Sequence, residues 1–169
     1  MNTKIILGID PGLADTGWGV LEASTQGFKF IDSGSLKTNP KDENSYRLKL
    51  IGDEIKSVIQ KYNPQESCLE EVFVNKNNLS SLKLGQARGA IIYVLADNNI
   101  PIFEYSATNI KKSIVGVGRA EKHQISAMLK ILLPKATPKN DHEADALACA
   151  VCHANQTSSN YDWQTKRRN

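Results

Sequence analysis

Residues 4–13, KIILGIDPGL, read as a buried β-strand that runs straight into a carboxylate and a Pro-Gly break. The apolar run Ile5-Ile6-Leu7, resumed at Ile9, has the character of a covered strand. Burying a charge costs several kcal/mol unless it is paired or metal-bound, so Asp10 at the end of this strand asks for a reason. One reading is a turn cap ahead of Pro11-Gly12; the other is a functional acid. From the position alone both stay open.

Working outward, TGWGVLEAS (16–24) and FKFIDSGSLKT (28–38) read as second and third strands, with Gly27 supplying the turn between them. Three strands on short connections predict an antiparallel meander. After the polar loop NPKDEN, Leu48, Ile51, Ile55, Val58, Ile59 and Tyr62 recur at helical spacing, which predicts a helix over 45–62 closed by Asn63-Pro64. SCLEEVFV (67–74) reads as a fourth strand, 79–98 as a second long helix and IPIFEY (100–105) as a fifth strand. A short helix over 107–114, a helix over 120–133 and an alanine-rich helix over 142–154 complete the pattern. The order β-β-β-α-β-α-β-α-α-α predicts an α/β fold: a five-stranded mixed sheet, meander plus two parallel strands, with helices on its faces and right-handed crossovers. Residues 1–154 are expected to form one domain, and the polar stretch 155–169 a disordered basic tail.

The 169 residues fit one domain, and the net charge of +3, from 21 basic and 18 acidic residues, neither requires nor excludes nucleic acid. No stretch is long and apolar enough to predict a membrane span, and the apolar start is too short for a signal peptide. The three cysteines, Cys68, Cys149 and Cys152, do not form an even disulfide set, so a reducing cytoplasm is expected. Cys149-x-x-Cys152 lacks a second ligand pair at metal spacing and reads as two small buried thiols on one helix face.

Two further acids share the setting of Asp10. Glu70 lies in the fourth strand beside Leu69 and Val72, and Asp145 lies among alanines on the last helix. Glu70 and Glu71 are adjacent, so on a strand they point to opposite faces and at least one is solvated. His142 and Asp145 are three apart and share a helical face, whereas Asp141 reads as an N-cap. Each acid alone has an ordinary explanation. Together, three acids in apolar settings far apart in the chain suggest convergence around cations.

The blocks ILGIDPGLADTGWGV, LEEVFVNKN, LKLGQARG, IFEYSATNIKKSIVGVGRAEKHQ and HEADALACAV, in this order, resemble the RuvC family of bacterial Holliday junction resolvases. The resemblance runs from about Lys4 to Ala154. It implies an RNase H-like fold in which the first strand is central and the fourth lies parallel beside it. It also implies a catalytic, metal-binding set of Asp10, Glu70, His142 and Asp145, with Glu70 chosen over Glu71 because it precedes x-V-F. Asp10 would bridge two Mg²⁺ ions per subunit, while Glu70 and Asp145 would each hold one. His142 stands where some family members carry Asp; as a ligand or general base it is better suited to Mn²⁺ than a hard carboxylate would be, so Mn²⁺ is expected to substitute for Mg²⁺. The implied products are a 5′-phosphate and a 3′-hydroxyl.

The same resemblance implies DNA contacts at Lys111 and Lys122, and base stacking by Phe73; Lys112, Arg119, Lys76 and Arg88 are weaker DNA-binding candidates. Gly85 and Gly89, one turn apart on the second long helix, permit close helix approach within the fold or between subunits. A homodimer is expected, because two-fold symmetry would place two sites on strands of like polarity in a four-way DNA junction. The branch-migration proteins RuvA and RuvB are the expected partners. The nearest alternative is an RNase H-like nuclease acting on structured RNA.

Overall fold

The computed structural model describes residues 3–72 and 78–166. Its elements are β1 (Lys4–Asp10), β2 (Asp15–Ser24), β3 (Gly27–Lys37), α1 (Asn44–Tyr62), β4 (Glu66–Glu70), α2 (Asn78–Asp97), β5 (Ile102–Tyr105), α3 (Ala107–Val115), α4 (Lys122–Leu132) and α5 (Asp141–Lys166). They build one five-stranded sheet in the order β3-β2-β1-β4-β5. β1, β2 and β3 form the antiparallel meander, and β4 and β5 are added in parallel, β4 beside β1. The expected mixed α/β architecture, with β1 central, is the one observed.

Alternation along β1 divides the core. Leu7 and Ile9 face the layer of α1 and α2, together with Trp18, Val20, Leu69, Ile51, Ile55, Ile91 and Leu95. Ile6 faces the layer of α3, α4 and α5, together with Leu21, Cys68, Ile110, Ile125, Leu147 and Val151. Helix α5 lies so close to the sheet that two positions must lack a side chain. A Cβ at Gly8 would stand 2.1 Å from the Ala146 carbonyl oxygen, and one at Gly17 2.2 Å from the His142 carbonyl oxygen. The glycines of the GID and TGWG blocks are therefore the floor on which α5 rests.

Several boundaries differ from the sequence reading, three of them with a clear physical reason. β4 ends at Glu70, although the apolar run VFV suggests a strand to residue 74. Its neighbours end there too: the last pairing is Glu70 with Tyr105, and the Glu71 N–H closes the ladder on the Tyr105 carbonyl at 2.8 Å. β5 starts at Ile102 rather than at residue 100, because Pro101 has no N–H and the Ile100 N–H caps the end of α2 on the Leu95 carbonyl at 2.9 Å. α5 continues to Lys166, past Ala154 where its apolar period stops. Residues 155–166 contain neither glycine nor proline to end the helix. The cysteines are free and buried, Cys149 and Cys152 on α5, as the sequence suggested.

Candidate active site

Strand parity brings the acids together. In the sheet Asp10 stands opposite Gly17, which stands opposite Ser35, so all three side-chain positions face α5. On the parallel neighbour β4, Gly8 pairs with Cys68, which puts Cys68 and Glu70 on the same face as Asp10. Glu71 falls on the other side of the chain and is exposed. Backbone geometry thus selects Glu70 independently of any motif.

α5 supplies the rest. The His142 ring nitrogen Nδ1 lies 2.7 Å from Asp10 Oδ2. Three residues on, Asp145 faces the same corner, with Lys122 Nζ of α4 at 3.9 Å from its Oδ2 and at 3.0 Å from Asp141 Oδ2. Burial pushes the Asp10 carboxyl above its ordinary range, the His142 bond opposes this, and the charge of Asp145 adds to it. Burial likewise raises Glu70, and the charges of Asp10 and Asp145 raise it further while Lys111 opposes. Burial raises Asp145 against the pull of Lys122. Three carboxylates in one corner are all held in a state that disfavours their charge.

The loop leaving Asp10 is tied down. Thr16 Oγ1 donates to the Gly12 carbonyl at 2.6 Å, and the buried Arg47 reaches the Leu13 carbonyl (3.2 Å) and Thr38 Oγ1 (2.9 Å). The Pro-Gly break is thus a fixed exit from the site. Arg47 was not legible as a supporting residue, because it reads as an ordinary polar position at the start of α1.

The basic candidates divide. Lys111 acts on both Glu70 and Asp145, and Lys122 is paired as described, its ammonium held above its ordinary pKa first by the Asp141 bond and then by Asp145. Arg88 is turned inward: its Nη1 donates to the Glu70 carbonyl at 2.6 Å and its Nη2 pairs with Glu104. Phe73 and Lys76 lie outside the described residues. The cap of α5 is not Asp141; Asn140 Oδ1 accepts the Glu143 N–H at 3.0 Å, while Asp141 is engaged by Lys122.

A family model described as crossover junction endodeoxyribonuclease RuvC matches residues 6–153. The chain belongs to the RuvC family. Among curated proteins it is 44% identical to the RuvC crossover junction endodeoxyribonuclease of Rhizobium johnstonii, covering 94% of each chain. It is 46% identical to that of Xanthobacter autotrophicus, over 91% of each. Among solved structures it superposes on Thermus thermophilus RuvC with a TM-score of 0.85 at 28% identity, covering 92% of this chain and 96% of the other. The same protein in complex with a Holliday junction substrate gives a TM-score of 0.86, also at 28% identity, over 91% of this chain and 94% of that one. A yeast mitochondrial Holliday junction resolvase, Ydc2, shares the fold with a TM-score of 0.65 at 13% identity, over 95% of this chain and 85% of that one.

The corner fits a hard divalent cation by its donor chemistry: three carboxylates whose burial raises their pKa values, and a histidine beside them. Among the described residues no three such side chains are gathered tightly enough to form a finished cage. They are neighbours on one face, with His142 engaging Asp10 and Lys122 reaching Asp145.

Proposed function

We propose that this chain is a structure-specific endonuclease that resolves four-way DNA junctions by paired, symmetric nicks, in recombination and repair. The observation that carries this reading is the meeting of Asp10, Glu70, His142 and Asp145 at one corner of a RuvC-family sheet. These four side chains are the proposed holders of two Mg²⁺ ions per subunit, with Mn²⁺ as a substitute that His142 favours. Bound there, a cation pair supplies a lowered pKa for the attacking water and charge neutralisation at the leaving 3′-oxygen.

The remaining work falls to the chain. Asp10 presents its carboxylate from the rigid end of β1, and His142 fixes the orientation of that carboxylate through Nδ1. Glu70 is held by the β4 backbone, whose last carbonyl is gripped by Arg88. Lys111 and Lys122 border the acids and are the proposed contacts for the backbone phosphates of the cut strand. Arg88 is a support for Glu70 in this reading, while Phe73 and Lys76 keep their proposed contacts with an unpaired base and the backbone. The products expected are a 5′-phosphate and a 3′-hydroxyl, so the nicks are ligatable.

A homodimer supports paired cutting. On α2 a side chain at Gly85 or Gly89 would meet only open space among the described residues, and Leu82 and Tyr93 beside them are 59% and 69% exposed. This open apolar stripe is the proposed seat of a second copy. We take residues 1–154 as the nuclease body, 155–169 as an appended basic tail, the cytoplasm as the compartment, and RuvA and RuvB as partners. No helix among the described residues is long and apolar enough to cross a membrane. The test is cleavage of a synthetic four-way junction, with structured RNA as the control substrate. Two nicks at symmetric positions in DNA alone support the reading, and cleavage of the RNA in preference to the junction contradicts it.

A further inference from the structure

We propose that Glu143 is a positioning residue for cleavage: its carboxylate locks the first turn of α5 onto β3 and so fixes His142 and Asp145 over Asp10 and Glu70. This rests on the nuclease reading above.

Glu143 is only 2% exposed, yet among the described residues its recorded partners are neutral donors. Ser33 Oγ donates to Glu143 Oε2 at 2.9 Å, and the Lys139 N–H donates to the same oxygen at 3.2 Å. A second contact runs parallel to the first. Asn140, whose Oδ1 takes the Glu143 N–H at 3.0 Å, donates through Nδ2 to Ser35 Oγ at 2.7 Å. Ser33 and Ser35 are two apart on β3 and therefore share a face, and they stand opposite Gly19 and Gly17 of β2. Two adjacent strands thus hold one helical turn: β2 presses against it at the His142 carbonyl where Gly17 leaves room, and β3 grips it through two hydroxyls.

The position within the helix makes this more than a cap. Glu143 immediately follows His142 and precedes Asp145 by two residues, so it projects from the flank of the turn that carries both. A carboxylate in the first turn is also favoured by the helix dipole. Losing the Ser33 bond frees that flank, and a small rotation of α5 about its axis carries His142 away from the 2.7 Å contact with Asp10 and shifts Asp145 with it. Groups that orient metal-binding side chains typically change affinity or activity by about 10–100-fold when removed.

The experiment uses the full chain as wild type, Glu143→Ala, Glu143→Gln and Ser33→Ala. Three quantities are read: Mn²⁺ affinity without DNA by calorimetry, junction affinity in EDTA, and the single-turnover cleavage rate in Mg²⁺. Glu143→Ala is expected to weaken Mn²⁺ binding and slow cleavage, each by about 10–100-fold, with junction affinity in EDTA unchanged within about 2-fold. Ser33→Ala, which removes only a surface-strand hydroxyl, should move the same two quantities in the same direction by about 3–10-fold. Glu143→Gln keeps an oxygen able to accept both bonds and should restore both quantities to within about 3-fold of wild type. Equal Mn²⁺ affinity in wild type, Glu143→Ala and Ser33→Ala overturns the proposal, as does a Glu143→Gln protein as impaired as Glu143→Ala. A wild type that binds Mn²⁺ but cuts no junction refutes the nuclease reading instead, and the Mn²⁺ comparison still decides the role of Glu143.

Discussion

Helix α5 brings two imidazoles to the same face of the sheet, and each meets a carboxylate: His142 meets Asp10, and three turns later His153 meets Glu66. The pairs are chemically alike and their surroundings are opposite. His153 is fully buried, with Nδ1 at 2.7 Å from the Tyr105 hydroxyl, Nε2 at 2.9 Å from Glu66 Oε2, and the Phe103 ring against it at 4.4 Å. Burial raises the Glu66 carboxyl, but the bonds from Lys4 and His153 outweigh it, so its pKa lies below the ordinary value. At Asp10 the balance is reversed: burial and a like charge outweigh the histidine, and the pKa lies above it. The difference separates a polar network completed by its own residues, which holds the fold together, from one left short of positive charge, which suits a cation.

The most severe test of this contrast is to remove the carboxylate on each side. Asp10→Asn is expected to reduce cleavage by about 10³-fold or more, the effect of losing several kcal/mol of transition-state stabilisation, while junction binding stays intact in a gel-shift assay. Glu66→Gln should leave the cleavage rate within about 3-fold, because Glu66 is paired with Lys4 and His153 outside the proposed catalytic set. An Asp10→Asn protein that still cleaves would break the contrast on the functional side.

On the structural side, His153→Ala leaves Glu66 and Tyr105 without their buried partner and opens a cavity. The expected cost is about 3 kcal/mol, or roughly 10 °C in Tm by calorimetry, with cleavage below the transition unchanged. Removing charge from the acidic corner should do the reverse. Because burial and the neighbouring acids hold Glu70 above its ordinary pKa, its ionised form destabilises the metal-free fold at neutral pH. Glu70→Gln is therefore expected to raise Tm by about 2–4 °C at pH 7 in EDTA. The gain should vanish as pH falls through the raised pKa, where the wild type relieves the same strain by taking up a proton. A Glu70→Gln protein no more stable than wild type at pH 7 would show that the corner is already compensated.

The smallest expected effect is a slope. Burial depresses the His153 pKa below its ordinary value of about 6.5, against the opposing pull of Glu66. Below about pH 6.5 the unfolded chain binds the proton first, so stability is complete above that value and declines as pH falls toward the folded-state pKa. Plotted against pH from about 7 to 5, the Tm of wild type should fall more steeply than that of His153→Phe. Parallel curves would mean that His153 carries no titration linked to folding.

The proposed catalytic set was more legible in the sequence than the groups that hold it. Asp10 ends an apolar strand and Asp145 interrupts an alanine-rich run, so both stand out by context. Glu70 over Glu71 needed either the family resemblance or the β1–β4 register, since adjacent strand residues are equivalent until a face is known. Arg88 read as a surface contact for DNA because a basic residue on a helix carries no mark of its partner; only the packing of α2 over the end of β4 turns it onto the Glu70 carbonyl. Asn140 and Glu143 were hidden for the same reason, because their partners Ser33 and Ser35 are more than a hundred residues away. The end of β4 was misread because the run VFV is apolar, while strand length is set by neighbours that stop at Asp10 and Tyr105.

The most direct test of the account is a Mg²⁺ titration of junction cleavage by wild type and Asp10→Asn on one labelled four-way junction, with the nick positions mapped on all four strands. The account predicts two symmetric, ligatable nicks that appear only with Mg²⁺ in the wild type, and none at any Mg²⁺ concentration in an Asp10→Asn protein that binds the junction normally. Nicks by wild type in EDTA, or Mg²⁺-dependent nicks by Asp10→Asn, would contradict it.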